Sequence, residues 1–271
     1  MPPEELAEAL RPEIERALDF KGYWVGQGPA DAEPEAFLLA LARALGHLYV
    51  PEGCDEETPV IATRPTPEAG AAPFDRPEPI GWHGDFASHA DRPELSFVYV
   101  ARADPAGEQA GSWRLASVGR VLDQLLTSAE GQAAFNLLRE APLPFSYADG
   151  GKVRWFNVFE DRGGVGGLGM RFYEPSIIRG CIAVYGEFPP TIASALRLVR
   201  VAADAVGEIR TTRRGSLLVT DNWHALHDRT EQSAPSDGPG REALLAFAMT
   251  RHSVGSGKSA ATGQTRGPDS A

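Results

Sequence analysis

The run Gly81-Trp82-His83-Gly84-Asp85-Phe86 places an imidazole two residues before a carboxylate. In an extended segment residues i and i+2 share a face, so His83 and Asp85 can both reach one ion. Together they supply two of the three ligands of a 2-His-1-carboxylate facial triad, the set that holds Fe(II) and leaves coordination positions open. HxD alone is a short pattern that also suits an exposed turn with a solvated His and Asp. A second histidine is needed, and the stretch Leu217–Arg229 offers two. There an apolar strand runs into the turn pair Asp221-Asn222 and then presents His224 and His227. Three residues apart on an extended chain, these two point to opposite faces, so only one of them can meet the ion. Fourteen residues beyond His227, Arg241 opens the run Arg241–Met249, which reads as a final core strand. A guanidinium in that place suits the far end of a dicarboxylate whose near end chelates the metal.

The elements that must position these groups are mostly short strands. Strand-like runs lie at Val60–Ala62, Leu95–Ala101, Val153–Phe159, Gly169–Tyr173, Cys181–Tyr185, Leu217–Thr220 and Ala243–Met249. Helical spacing of apolar residues marks 3–18 (Leu6, Leu10, Ile14, Leu18), 34–45 (Phe37, Leu38, Leu41, Leu45), 117–139 and 190–206. Many short strands braced by a few helices predict a mainly β, α+β fold of the jelly-roll or sandwich kind. Residues 1–252 form one domain in this reading, and the Gly/Ser-rich remainder, 253–271, is expected to be disordered. The loop segments 51–79, 161–180 and 229–240 are expected to line a substrate pocket.

HxD, then a strand ending in DNxxxxH about 140 residues later, then an Arg some 14 residues further on resembles the taurine dioxygenase and clavaminate synthase-like superfamily. The resemblance runs from Trp82 to Met249. It implies a distorted double-stranded β-helix and an oxygenase dependent on Fe(II), 2-oxoglutarate and O₂ that releases succinate and CO₂. It makes His83, Asp85 and His227 the iron ligands and Arg241 the clamp on 2-oxoglutarate; Arg229, two residues after His227, is placed to reach the same face and assist the clamp. His224 and Arg251 are the competitors of His227 and Arg241. Family members carry a Thr in a GG-x-T segment that contacts the cosubstrate. The matching stretch here is Ala110–Leu115, with Trp113 at the Thr position and Ser112 as the available hydroxyl. Halogenating relatives replace the carboxylate ligand by Gly or Ala, so the retained Asp85 implies hydroxylation or desaturation of a C–H bond. The expected substrate is a small molecule such as an amino acid or a natural-product intermediate.

Bulk properties narrow the alternatives. The 271 residues carry 26 Lys plus Arg against 37 Asp plus Glu, a formal charge of −11, which argues against a nucleic-acid or anionic-membrane partner. A homodimer is compatible with this balance. Two distant cysteines, Cys54 and Cys181, make no disulfide framework, and the acidic N-terminus has no signal-peptide pattern, so a reducing cytoplasm is expected. Taken without the resemblance, the same ligands would also serve a metal-binding jelly roll without turnover or a zinc-dependent hydrolase. Arg241 separates these, because hydrolysis has no use for a buried guanidinium at that spacing. Other patterns read as incidental. Gly164–Gly169 matches GxGxxG but runs into a strand-like segment instead of a helix, and Gly255–Ser259 lacks the leading Gly of a phosphate loop. His89 reads as a loop histidine, Trp82 as core packing or a pocket wall, and Arg171 to Tyr173 as a strand at the pocket edge.

Overall fold

Alternation of apolar residues builds the central sheet of the computed structural model, which describes residues 1–29, 33–66, 72–148, 151–162, 167–233 and 240–250. Three long strands form its middle: β4 (Leu95–Arg102), β11 (Ser216–Asp221) and β13 (Glu242–Thr250). With β1 (Tyr23–Gln27) and β2 (Gly46–Tyr49) they run in the order β1-β11-β4-β13-β2, and β3 (Ile61–Thr63) also pairs with β13. All these pairings are antiparallel. Along each middle strand, every second residue faces one way. Leu95, Phe97, Tyr99, Leu217, Val219, Leu244, Ala246 and Ala248 pack against helices α1 (Pro3–Lys21) and α2 (Pro34–Leu45). The intervening residues, among them Val98, Leu218, Ala243, Leu245 and Phe247, line a cavity on the other side.

A second sheet, β10 (Glu208–Arg210), β5 (Trp113–Ser117) and β12 (Ala225–Arg229), closes that side. Val100, Trp113, Leu115, Leu218 and Ala225 form the packing layer between the sheets. The outer face of the smaller sheet meets a helical layer of α3 (Val118–Leu125), α4 (Ala129–Glu140), α5 (Glu174–Tyr185) and α6 (Pro190–Val206). Two short antiparallel pairs, β6 (Leu143–Phe145) with β7 (Arg154–Phe156) and β8 (Phe159–Asp161) with β9 (Leu168–Met170), complete the architecture. Among the described residues no helix is long and apolar enough to cross a membrane.

Four expectations need correction. Val153–Phe159 is not one strand but β7 and the start of β8, and Gly169–Tyr173 leaves β9 after Met170. The run Cys181–Tyr185 is the end of helix α5, not a strand. Pro175 sits in the first turn, Ile177, Gly180 and Cys181 form one buried stripe at helical spacing, and Gly186 ends the helix at φ 78°. Gly180 is needed there because a Cβ would stand 2.1 Å from the Pro144 carbonyl oxygen. The segment 117–139 is two helices, broken where the Ser128 side chain caps α4 by accepting the Gly131 N–H at 3.0 Å. The expected disordered tail, with Arg251 and Gly255–Ser259, lies outside the described residues, as do residues 164–166 of the GxGxxG match.

Phe97 is fully buried at the centre of β4 beneath α2. Phe97→Ala is expected to lower unfolding stability by about 3–5 kcal/mol, read from urea denaturation midpoints at unchanged slope.

Candidate metal centre

His83 does not lie on a regular strand. It makes a single antiparallel bridge with His227 of β12, each residue donating its N–H to the other's carbonyl at 2.9 Å. A hydrogen-bonded pair of this kind puts the two side chains side by side on one face. The imidazole centroids are 4.2 Å apart. Tyr173 bridges His83 from its other edge.

Asp85 begins a turn instead of continuing a strand, and Phe86 after it has φ 55°. Its position is held through its backbone. Asn222 Oδ1 accepts the Asp85 N–H at 3.1 Å, and Arg92 Nε donates to the Asp85 carbonyl at 2.9 Å. Arg92 also donates to the carbonyls of Met170, at 3.0 Å, and of Asn222. Its guanidinium lies over the Trp223 ring, 4.5 Å from the centroid. The i, i+2 relation inferred for His83 and Asp85 thus places both side chains in one cluster, although a turn achieves it.

The result is a buried three-residue cluster, with one ligand atom from each of His83, Asp85 and His227 all within 4.8 Å of one another. His83 Nε2 is 3.8 Å from Asp85 Oδ1, and His227 Nε2 is 3.5 Å from Asp85 Oδ2. Both separations exceed a hydrogen bond, and Asp85 Oδ2 is buried without a hydrogen-bond partner among the described residues. Metal–ligand bonds of about 2 Å fit between such atoms after a small contraction. The protonation states suit a cation as well. The Gly81 carbonyl can only accept, so His83 Nδ1, 2.7 Å away, carries the proton and Nε2 keeps its lone pair. Burial, with the neighbouring His227, lowers the His83 imidazole to about 4. Burial alone would raise the Asp85 carboxyl, but His227 and His83 outweigh it and hold it below the usual carboxylate range.

The cluster opens into a cavity of about 650 Å³. Arg241, opening into β13, reaches the same cavity and is 4% exposed. Its Nε has no hydrogen-bond partner among the described residues, and burial, with Arg229 nearby, lowers the guanidinium to about 10, so it stays charged at neutral pH. Gly111 leaves room for it, since a Cβ there would stand 2.8 Å from the Arg241 Nε.

Other expected site residues are placed differently. Arg229 lines the cavity, but its guanidinium donates to the carbonyls of Arg76, Pro77, Glu78 and Thr230, so it straps the 76–78 loop and has no free edge for a ligand. The Ser112 hydroxyl is fully buried and donates to the Glu108 carbonyl at 2.8 Å, away from the cavity wall, which Trp113 forms instead. His224 sits in the turn after β11, its Nδ1 2.8 Å from Asp221 Oδ2, outside the cluster. His89 lines the cavity between Phe86 and Tyr147 without joining the cluster. Trp82 packs in the helical layer. Of Arg171 to Tyr173 only Tyr173 reaches the cavity; Arg171 holds the Ala87 and His89 carbonyls at 3.0 and 2.8 Å. Arg92 and Asn222 were not singled out from the sequence, although Asn222 stands in the DNxxxxH pattern. The cavity walls also include 86–91, Tyr147 and Arg154, which lie outside the loops expected to line it.

A family model described as "Taurine catabolism dioxygenase TauD, TfdA family" matches residues 2–246. No curated protein matches the chain in sequence. Among solved structures, an asparagine oxygenase in complex with Fe(II), 2S,3S-3-hydroxyasparagine and succinate aligns at TM-score 0.69 and 20% identity, covering 91% of this chain and 79% of that one. The non-heme iron oxygenase OrfP with Fe, succinate and (3S)-hydroxy-L-Arg aligns at 0.64 and 16%, covering 96% and 84%. PvcB, an Fe, alpha-ketoglutarate dependent oxygenase from an isonitrile synthetic pathway, aligns at 0.58 and 17%, covering 89% and 79%. At these identities the likeness establishes a shared fold.

Two expected outcomes follow from this geometry. Arg92→Met leaves buried carbonyls without a donor, so stability falls by about 2–4 kcal/mol in urea denaturation. Between about 4 and the ordinary 6.5, His83 is protonated in the unfolded chain and neutral in the folded one. The metal-free protein should therefore lose stability as pH falls through this window, by roughly 1 kcal/mol per pH unit, and be insensitive to this group above it. Denaturation midpoints of chelator-treated protein across that range check the slope, and His83→Asn should flatten it.

Proposed function

The chain belongs to the TauD/TfdA family of Fe(II)- and 2-oxoglutarate-dependent oxygenases, and we propose that it hydroxylates a C–H bond of a small substrate of the amino-acid class. His83, Asp85 and His227 hold the iron in this reading, and Arg241 takes the distal carboxylate of 2-oxoglutarate. The observation that carries it is Arg241, a buried guanidinium that makes no salt bridge among the described residues, whose Nε lacks a hydrogen-bond partner among them, and that shares one cavity with the three-residue cluster. A charge kept from water in this way requires an anion to pair with, and a bidentate carboxylate suits its geometry. A hydrolase or a purely structural metal site has no use for that group.

When bound, Fe(II) with 2-oxoglutarate and O₂ supplies oxidative decarboxylation to succinate and CO₂ and delivers one oxygen atom to the substrate. The chain's own contribution is positioning. Neutral His83, ionised Asp85 and His227 would hold the ion, and all three line the cavity. Arg241 fixes the far end of the cosubstrate and so its orientation at the cluster. Trp113, Leu218 and Leu245 give the cavity an apolar wall that excludes water from the reacting bond. The two facing antiparallel sheets support the distorted jelly-roll reading of the fold.

The walls support the substrate class. Arg154, which gives one N–H to the Ser88 carbonyl at 3.2 Å, lines the cavity near His89, and Glu52 and Asp91 also line it. A substrate carrying both a carboxylate and an ammonium group suits walls of both signs. The structures with hydroxylated asparagine and arginine lend the same support.

Succinate formation from 2-oxoglutarate, measured with Fe(II), ascorbate and O₂ over a panel of amino acids, tests the reading. Turnover should rise with one class of amino acid and vanish in His83→Ala. Arg241→Ala should raise the KM for 2-oxoglutarate about 10- to 100-fold, the loss of one charged hydrogen-bonded partner. An unchanged KM in that variant would sink the clamp assignment.

A further inference from the structure

On the reading of His83 as an iron ligand, we propose that Asp228 is the positioning residue that sets the His83 ring, and that Arg114 holds Asp228 in place. Asp228 follows His227 on β12, so its side chain points to the opposite face of the strand. There the register sets it beside Arg114 of β5. Its side chain is 1% exposed, and it ties the segment that carries His83 to β12 and β5. Oδ1 accepts the Gly81 N–H at 2.8 Å and the Arg229 N–H at 2.7 Å, and Oδ2 accepts Arg114 Nη1 at 2.9 Å. The other edge of the Arg114 guanidinium pairs with Asp204, which also accepts the Trp82 Nε1–H at 2.8 Å. The guanidinium lies over the Trp82 ring, 4.7 Å from its centroid. Gly81, Trp82 and His83 are therefore gripped from behind by one connected network.

The consequence for the metal face runs through Gly81. This residue has φ 87°, in the region L side chains rarely adopt. A Cβ there would meet no atom within 4 Å, so the glycine answers a conformational demand and not a lack of space. With its N–H fixed on Asp228, Gly81 turns its carbonyl to accept His83 Nδ1–H at 2.7 Å. That bond fixes the tautomer and the plane of the ring, which leaves Nε2 facing Asp85. His227 has no such brace: its Nδ1 lacks a hydrogen-bond partner among the described residues. One imidazole of the pair is thus held through Asp228, and outer partners of metal-bound histidines typically govern affinity about 10- to 100-fold.

Three variants separate positioning from bulk stability. Asp228→Asn keeps the shape and an acceptor for Gly81 but turns an N–H against Arg114. Arg114→Met removes the support of Asp228. Gly81→Ala adds no clash and disfavours the conformation. Fe(II) affinity is measured by chelator competition, the ring environment by the visible absorption of the Co(II)-substituted protein, and folding by thermal melts of the metal-free protein. All three variants should weaken Fe(II) binding, Asp228→Asn by about 10- to 100-fold, and shift the Co(II) bands. Asp228→Asn combined with Arg114→Met should be little worse than Asp228→Asn alone, as expected for residues acting in one chain. Variants that melt near wild type yet bind Fe(II) equally well, with unmoved Co(II) bands, would overturn the proposal. If Asp228→Asn does not fold, Gly81→Ala decides by the same two readouts. Wild-type protein that binds neither metal would instead overturn the iron assignment itself.

Discussion

Two backbone hydrogen bonds, exchanged between His83 and His227, tie together the parts of the chain on which the centre depends. They join a short segment outside any regular sheet to the edge of β12. Because the pair is of the hydrogen-bonded antiparallel kind, the two imidazoles must stand together on one face. The remaining architecture serves to hold that contact. The smaller sheet fixes β12 through β5, and the long strands of the larger sheet supply the opposite wall of the cavity. Asp85 then has to be brought in by a turn, and this is where Asn222 and Arg92 act. Asn222 follows β11 directly, so the strand–turn–strand unit that presents His227 also positions the residue that holds Asp85.

Burying so many polar groups between two sheets is costly unless each finds a partner. Arg92, Arg171 and Arg229 are all buried, and each spends its donors largely on main-chain carbonyls of irregular segments. The pattern is consistent: where the chain leaves regular sheet to build the cavity wall, a guanidinium collects the carbonyls that lose their ladder partners. Arg241 departs from it. It is as buried as the others, yet its Nε has no partner among the described residues and its guanidinium lines the cavity. That contrast, more than its presence at a given spacing, sets Arg241 apart from the three arginines that hold the main chain.

The middle of the large sheet was legible because Leu95–Arg102, Ser216–Asp221 and Glu242–Thr250 alternate apolar residues that pack on α1 and α2. The His83–Asp85 pair was legible as chemistry because ligand type and spacing survive a change of backbone from strand to turn. Strand β12 was hidden. All five of its residues are buried, yet three of them are His227, Asp228 and Arg229, whose polarity disguises an interior strand. Helix α5 was misread for the converse reason: Cys181–Tyr185 is rich in residues that suit strands, and only its buried stripe with Ile177 and Gly180 reveals the helix. The hydroxyl of Ser112 and the guanidinium of Arg229 donate to main-chain carbonyls, and which carbonyls those are depends on loops that no spacing rule reports.

The wall that carries the three-residue cluster and the wall opposite it are built differently. In the three-residue cluster His227 sits on β12, His83 is held by its bridge to His227 and by the Gly81 carbonyl, and Asp85 is held by Asn222 and the buried Arg92. The substrate walls come from 51–63, 73–74, 86–91, Tyr147 and Arg154, which belong to different loops and short strands. Their charged groups, Glu52 and Asp91 against Arg154, lie at the exposed side of the cavity, where water competes with any ligand and a wall can adapt its shape. In a cavity built this way, selectivity among substrates should be decided by those few charged side chains and not by the three-residue cluster.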